Sequence, residues 1–120
     1  MNSDELKART KQFALRIMKL VGALPRTTVG RAIGGQLVRS GTSVGANYRT
    51  AYRARSKAEF SAKLGTVAEE ADETCFWLEL VIEGELLPDK RVATLLEEAN
   101  ALTAIFTSAV RTSKLGRNRR

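Results

Sequence analysis

From Gln36 to Leu80 the chain reads as two long helices joined by one basic turn, Arg53-Ala54-Arg55-Ser56-Lys57. The first helix carries Gln36, Ser40, Ser43 and Asn47 at spacings of 4, 3 and 4, which puts all four on one face. The second opens at Ala58-Glu59-Phe60 and turns apolar on every side by Cys75-Phe76-Trp77-Leu78. A helix without a wet face has to be covered, and one small bundle has too few helices to do it. The segment therefore predicts an assembly before it predicts an activity.

The rest of the chain extends the helical pattern. At 120 residues it is one domain with room for a single core. Alternating β-branched runs are missing, and Pro25 and Pro88 are the only prolines. A first helix is expected from Ser3 as N-cap, with Asp4 and Glu5 where the helix dipole favours acids. Its apolar stripe is Leu6, Phe13, Ile17, Leu20, Val21 and Leu24, ending at Pro25. The second runs from Thr27 or Thr28 to about Tyr52, with Ile33, Leu37, Val44 and Tyr48 toward the core. The third runs from Ser56 or Lys57 to Glu83 on the stripe Phe60, Leu64, Val67, Ala71, Cys75, Leu78 and Ile82. Gly84 and Pro88 mark a stop and a start. The fourth, from Pro88 or Asp89 to Ser113, buries Val92, Leu95, Leu96, Ala99, Leu102, Phe106 and Val110.

Short connections between long helices imply antiparallel neighbours. The fold expected is all-α, an up-down antiparallel four-helix bundle over residues 1–113, assembled as a ring-like homo-oligomer. Residues 114–120 form a basic tail without an apolar face, expected to be disordered. Helix two contains Gly30, Gly34, Gly35, Gly41 and Gly45, each costing roughly 1 kcal/mol relative to alanine. Gly30, Gly34, Gly41 and Gly45 fall on one side, where a close-packed backbone would offset that cost; a broken helix is the competing reading.

Charge is distributed unevenly. Residues 1–57 hold 12 Lys/Arg against 2 Asp/Glu, residues 58–87 hold 1 against 8, and residues 88–120 hold 7 against 3. The net charge of +7 favours a polyanion such as nucleic acid as partner, while the acidic block could instead pair with a neighbouring subunit's basic block. Cys75 is the only cysteine, which fits a reducing compartment. The N-terminus lacks an apolar signal core, and no run approaches the roughly 20 apolar residues of a membrane span. The expectation is a cytoplasmic protein with no membrane partner.

Three stretches together carry a resemblance: Gln36-x-x-x-Ser40-x-x-Ser43-x-x-x-Asn47, then Arg53-Ala54-Arg55-Ser56-Lys57-Ala58-Glu59-Phe60-x-x-Lys63-Leu64, then Glu70-x-x-Glu73-x-x-x-Trp77-Leu78. The pattern resembles the bacterial four helix bundle protein family, which includes proteins encoded by intervening sequences inside large-subunit ribosomal RNA genes. It is also similar to the accessory variability determinant of diversity-generating retroelements. The resemblance spans about residues 5–112. It implies a homopentameric barrel of four-helix protomers without enzymatic activity. The retroelement likeness further implies binding to RNA or DNA and to a reverse transcriptase through a positive surface. Many members carry Asn-x-x-Glu-Gly after the polar stripe, whereas this chain reads Asn47-Tyr48-Arg49-Thr50-Ala51, so the end of helix two is more basic here.

Candidate sites follow from these patterns. The Gln36, Ser40, Ser43 and Asn47 stripe borders the apolar face, which favours structural hydrogen bonding over a nucleic-acid contact row. Arg31, Arg39, Arg49 and Arg53 lie on the side of helix two away from the core. With Arg55 and Lys57 they form a row that could track phosphates, be solvated, or pair with the acidic third helix of another subunit. Phe76, Trp77 and Leu80 are the expected apolar contribution to the oligomer interface, with Glu70 and Glu73 as its charged one.

Glu69, Glu70, Asp72 and Glu73 have the density of a metal site, but di-iron bundles use inward Glu-x-x-His pairs and this chain has no histidine. No metal or cofactor is expected. Lacking histidine, the chain also lacks the commonest general base, and Cys75 lies on the core stripe, so no catalytic residue is assigned. Two functions remain: a nucleic-acid-binding accessory factor for structured RNA or an RNA–DNA hybrid, or a structural oligomer that contacts only proteins.

Overall fold

Each of the first three helices starts after a residue whose side chain closes a free backbone N–H of the first turn. The computed structural model describes residues 1–118, in which α1 spans Ser3–Gly22, α2 Thr28–Ala51, α3 Lys57–Glu83 and α4 Asp89–Asn118. Thr27 accepts from the Gly30 N–H at 3.0 Å, and Ser56 from the Glu59 N–H at 3.0 Å. The α1 cap is Asn2 rather than Ser3: Asn2 is extended and accepts from the Glu5 N–H at 2.9 Å, while Ser3 is already helical.

One helix end differs from expectation in its capping geometry and another in its position. Gly84 has φ −81°, and the left-handed residue is Glu85 at φ 57°. The Gly84 N–H still bonds the Leu80 carbonyl at 2.8 Å, so α3 ends at Glu83 as expected while the left-handed residue falls one position after Gly84. There the Leu86 N–H reaches the Val81 carbonyl and the Glu85 N–H the Ile82 carbonyl, the Schellman arrangement. The second difference is α4, which continues through Asn118, so residues 114–118 of the expected disordered tail are helical. No proline follows Ser113, and Lys114 and Leu115 are good helix formers. Residues 119 and 120 lie outside the described residues.

Consecutive helices pack side by side and α4 returns to α1, giving an up-down-up-down bundle with α1–α4 as its thinnest contact. The antiparallel sense is fixed by pairs that run in opposite order: Gly45 lies against Thr10 and Gly34 against Val21, and the Ser61 and Ser113 hydroxyls bond across α3–α4. Among the described residues there is no strand.

The core uses the expected stripes. Phe13, Ile17 and Leu20 of α1 meet Leu37, Val44 and Tyr48 of α2, Leu64, Val67, Cys75 and Leu78 of α3, and Val92, Leu102 and Phe106 of α4. Each large apolar side chain buried there stabilises the fold by about 1.5–3 kcal/mol. Leu6, Val21, Ile33, Phe60, Ile82, Leu96 and Val110 pack against its edges.

Glycine placement explains how α2 tolerates its composition. A Cβ on Gly41 would come 2.8 Å from Ile17 Cγ1, and one on Gly45 would come 3.2 Å from Thr10 Oγ1. The glycine side of α2 therefore faces α1, and the two backbones approach because neither position carries a side chain. Helix α3 departs from expectation in the opposite way. Glu69, Asp72, Phe76, Glu79 and Glu83 are all exposed along one ridge, so the helix has a wet face after all. Four consecutive apolar residues span barely one turn, too short a window to decide that a whole helix is dry.

Candidate nucleic-acid interface

The polar stripe of α2 shares a side of the helix but does not act as one network. Ser40 is fully buried, and its Oγ lies 2.9 Å from Thr74 Oγ1 of α3. Thr74 Oγ1 is also 2.8 Å from the Glu70 carbonyl oxygen, so the pair ties α2 to α3 inside the core. The other three stay on their own helix. Gln36 is exposed and accepts from Arg39 Nε at 3.2 Å; Ser43 donates to the Arg39 carbonyl at 2.6 Å; Asn47 donates to the Ser43 carbonyl at 2.9 Å. Ser40 alone makes the interhelical bond.

The arginine row also divides. Arg39 reaches α3 of its own chain, where Nη1 lies 3.1 Å from Glu70 and Nη2 pairs with Glu73. Glu70 and Glu73, expected at a subunit interface, thus already hold a cation within the protomer. Arg31 donates to the Arg26 carbonyl at 3.1 Å and sits at the far end of α2. Arg49 and Arg53 are exposed at the other end, and Arg55 and Lys57 occupy the turn into α3.

Arg49 and Arg53 do not stand alone. They line a groove of about 730 Å³ between α1 and α2, opposite Lys7 and Lys11. Ala8, Ala14, Ala46 and Gly45 keep its walls low, and Thr10 and Thr42 add hydroxyl-bearing side chains. No carboxylate belongs to its lining. Lys7 and Lys11 are one helical turn apart on α1, and Arg49 in the last turn of α2 and Arg53 just past its C-cap line the other side of the cleft. Such a groove concentrates positive potential where low walls let an anion approach. Sequence reasoning missed Lys7 and Lys11. Their signal was the i, i+4 spacing on α1 beside the glycine seam of α2, and using it requires knowing that the seam faces α1.

The groove ends at Tyr52, the C-cap of α2, which also borders two further clefts. One, of about 360 Å³, runs past Arg55, Lys57 and Phe60. The other, of about 570 Å³, opens between α1 and α4 and is floored by Leu6, Tyr48, Phe60 and Phe106. The Tyr48 and Tyr52 hydroxyls are 3.0 Å apart. Burial, and then the bond to Tyr52, raise the Tyr48 pKa above its ordinary value, so the Tyr48 phenol stays neutral. Cys75 is buried 3.7 Å from Thr103 Oγ1, and burial pushes its thiol pKa up as well.

Across α1–α4, Arg9 Nε and Nη2 each lie 2.7 Å from a different Glu98 oxygen. This bidentate bond holds the Glu98 carboxyl below its ordinary value and raises Arg9 above its own. The expected oligomer residues take different positions. Phe76 projects from the acidic ridge of α3 with 51% of its surface exposed. Leu80 is partly buried, and Trp77 packs against the protomer core, edge-on to Phe76 at 5.0 Å. Its indole N–H is buried without an acceptor among the described residues.

The family model for 23S rRNA-intervening sequence proteins matches residues 4–108 of this chain. A protein from Bacteroides thetaiotaomicron, described as of unknown function and from the S23 ribosomal protein family, has a similar crystal structure. The two superpose with a TM-score of 0.84 at 32% identity, over 92% of this chain and 99% of that one. Comparison with curated proteins finds no match.

Proposed function

This chain belongs to the family of 23S rRNA-intervening sequence proteins, and from that premise we propose that it is a non-enzymatic accessory factor that binds structured RNA or an RNA–DNA hybrid. The observation that carries the reading is the groove in which Lys7, Lys11, Arg49 and Arg53 face each other with no carboxylate in the lining. Phosphates supply the opposite charge at regular spacing, and cations on rigid helices reach them more readily than base edges. Arg39 has no part in this surface, because Glu70 and Glu73 already hold it. Affinity for a structured RNA, measured against salt concentration, tests the reading. Changing Lys7, Lys11, Arg49 and Arg53 to glutamine should remove most binding and flatten the log–log salt slope by about 3. Arg39→Gln should leave both nearly unchanged. Absence of binding by the unmodified protein at low salt rejects the reading.

The working form is a homo-oligomer, a pentameric ring by family resemblance, in the cytoplasm. Exposed Leu15, Met18, Val38 and Phe76 support an assembly, since each leaves apolar surface in water. A ring would repeat the groove and raise avidity without new contacts. Light scattering at micromolar concentration should give a multiple of 13.2 kDa, and a monomer mass rejects this part. A second reading is a structural oligomer that contacts only proteins, a reverse transcriptase among them. It is favoured by the ridge in which Phe76 stands among Glu69, Asp72, Glu79 and Glu83, and intact function after loss of all RNA affinity would establish it.

A further inference from the structure

The end of the basic groove carries a feature that phosphate contacts do not use. Tyr52 has 48% of its surface exposed, yet its ring is fixed on three sides. It packs edge-on against Tyr48 at 5.4 Å and Phe60 at 5.5 Å, and its hydroxyl bonds that of Tyr48. An exposed aromatic ring held this firmly has little further freedom to lose on binding. Cations flank it on both sides: Lys7, Lys11, Arg49 and Arg53 in the α1–α2 groove, and Arg55 and Lys57 in the cleft beyond.

We propose that Tyr52 is a stacking platform for one unpaired base, and that a single-stranded segment of nucleic acid crosses the bundle end there with its phosphates in the two flanking cationic clefts. This deepens the nucleic-acid reading and rests on it. Lys7 shows how the site stands when empty. Its Nζ lies 4.9 Å from the centre of the Tyr52 ring, a cation–π contact over one ring face. A base entering over that face displaces the ammonium toward the phosphate beside it, and Lys7 already lines the groove that would hold this phosphate. One weak contact is exchanged for two, stacking and ion pairing. A duplex gains nothing from Tyr52, because its bases are stacked on each other, whereas loops and single strands present a free π-face. The target within a structured RNA is therefore an unpaired stretch and not a helix.

The test uses the whole chain with a twelve-nucleotide RNA, the DNA of the same sequence, and their perfect duplexes, each carrying 2-aminopurine. Single strands should bind at least about ten-fold tighter than duplex, with the fluorescence of one label position quenched. Tyr52→Leu should weaken single-strand binding about ten-fold without changing the salt slope, and Tyr52→Phe should retain it. The RNA or the DNA strand, whichever binds tighter, identifies the source of the ligand. Equal affinity of Tyr52→Leu and unmodified protein, or duplex bound as tightly as single strand, overturns the stacking platform while leaving the phosphate groove standing. Lack of all binding removes both. If Tyr52→Leu does not fold, the quench in the unmodified protein decides: an unchanged signal at every label position overturns the platform.

Discussion

Helix α1 meets its two neighbours in opposite ways. Against α2 the backbones close up on glycine: Ile17 fills the space where a Gly41 side chain would stand, and Thr10 does the same at Gly45. Against α4 the contact is thin, and a bidentate ion pair from Arg9 to Glu98 spans it. Where backbones lie apart, a side chain bridges the gap and its charge is neutralised on the spot. Where they lie close, no carboxylate enters the seam, and the cations along its rim remain free for an outside anion. The same logic separates Arg39, which reaches across to α3 and is paired, from Arg49 about three turns further along the same helix and Arg53 just past its end.

Breaking the close seam should have the larger effect. Gly41→Val forces a branched side chain into Ile17 atoms that leave it 2.8–2.9 Å, so the helices must part. A loss of about 2–4 kcal/mol is expected by denaturant titration, at the upper end of overpacking costs because backbone and not only side chain must move. A loss below about 1 kcal/mol would mean that the seam is soft. The wide seam should respond less, and with a pH signature. Glu98→Gln is expected to cost about 1–2 kcal/mol at neutral pH. Because the Glu98 pKa is lowered in the folded state, its contribution is fully present above the ordinary value of 4.5 and is lost as pH falls through the depressed folded value. The stability gap between the unmodified protein and Glu98→Gln should therefore narrow as pH falls below 4.5. A gap independent of pH would show that Arg9 does not stabilise the ionised carboxylate.

Most of the fold was legible because helices announce themselves through periodicity. The bounds of α3, the Thr27 cap and the stripes from Phe13 to Phe106 all stand where spacing puts them. The end of α4 was less legible, since a basic segment without an apolar face gives periodicity nothing to count. The site was legible in halves. Arg49, Arg53, Arg55 and Lys57 could be found because they are neighbours in sequence, but Lys7 and Lys11 join them only through the pairing of α1 with α2. The polar stripe failed as a unit for a related reason. Residues within one 100°-wide arc of a helix can face a neighbour, its edge or water, and only Ser40 lay at the angle that meets Thr74.

The glycines of α2 also give the molecule a history. Five glycines in a 24-residue segment, each worth roughly 1 kcal/mol against the helix, make it a coil when it stands alone. Helices α3 and α4, joined through the Gly84–Pro88 turn, carry one glycine each, Gly65 and Gly116, and can pair by local contacts. Order in α2 therefore waits for its neighbours α1 and α3 to dock. A chain emerging from the ribosome shows its basic first half from the start, but as a diffuse polycation that attracts any phosphate. Only when α1 and α2 close does that diffuse charge become a groove of fixed width with Tyr52 at its end, so the nucleic-acid selectivity proposed above would begin only at that late step.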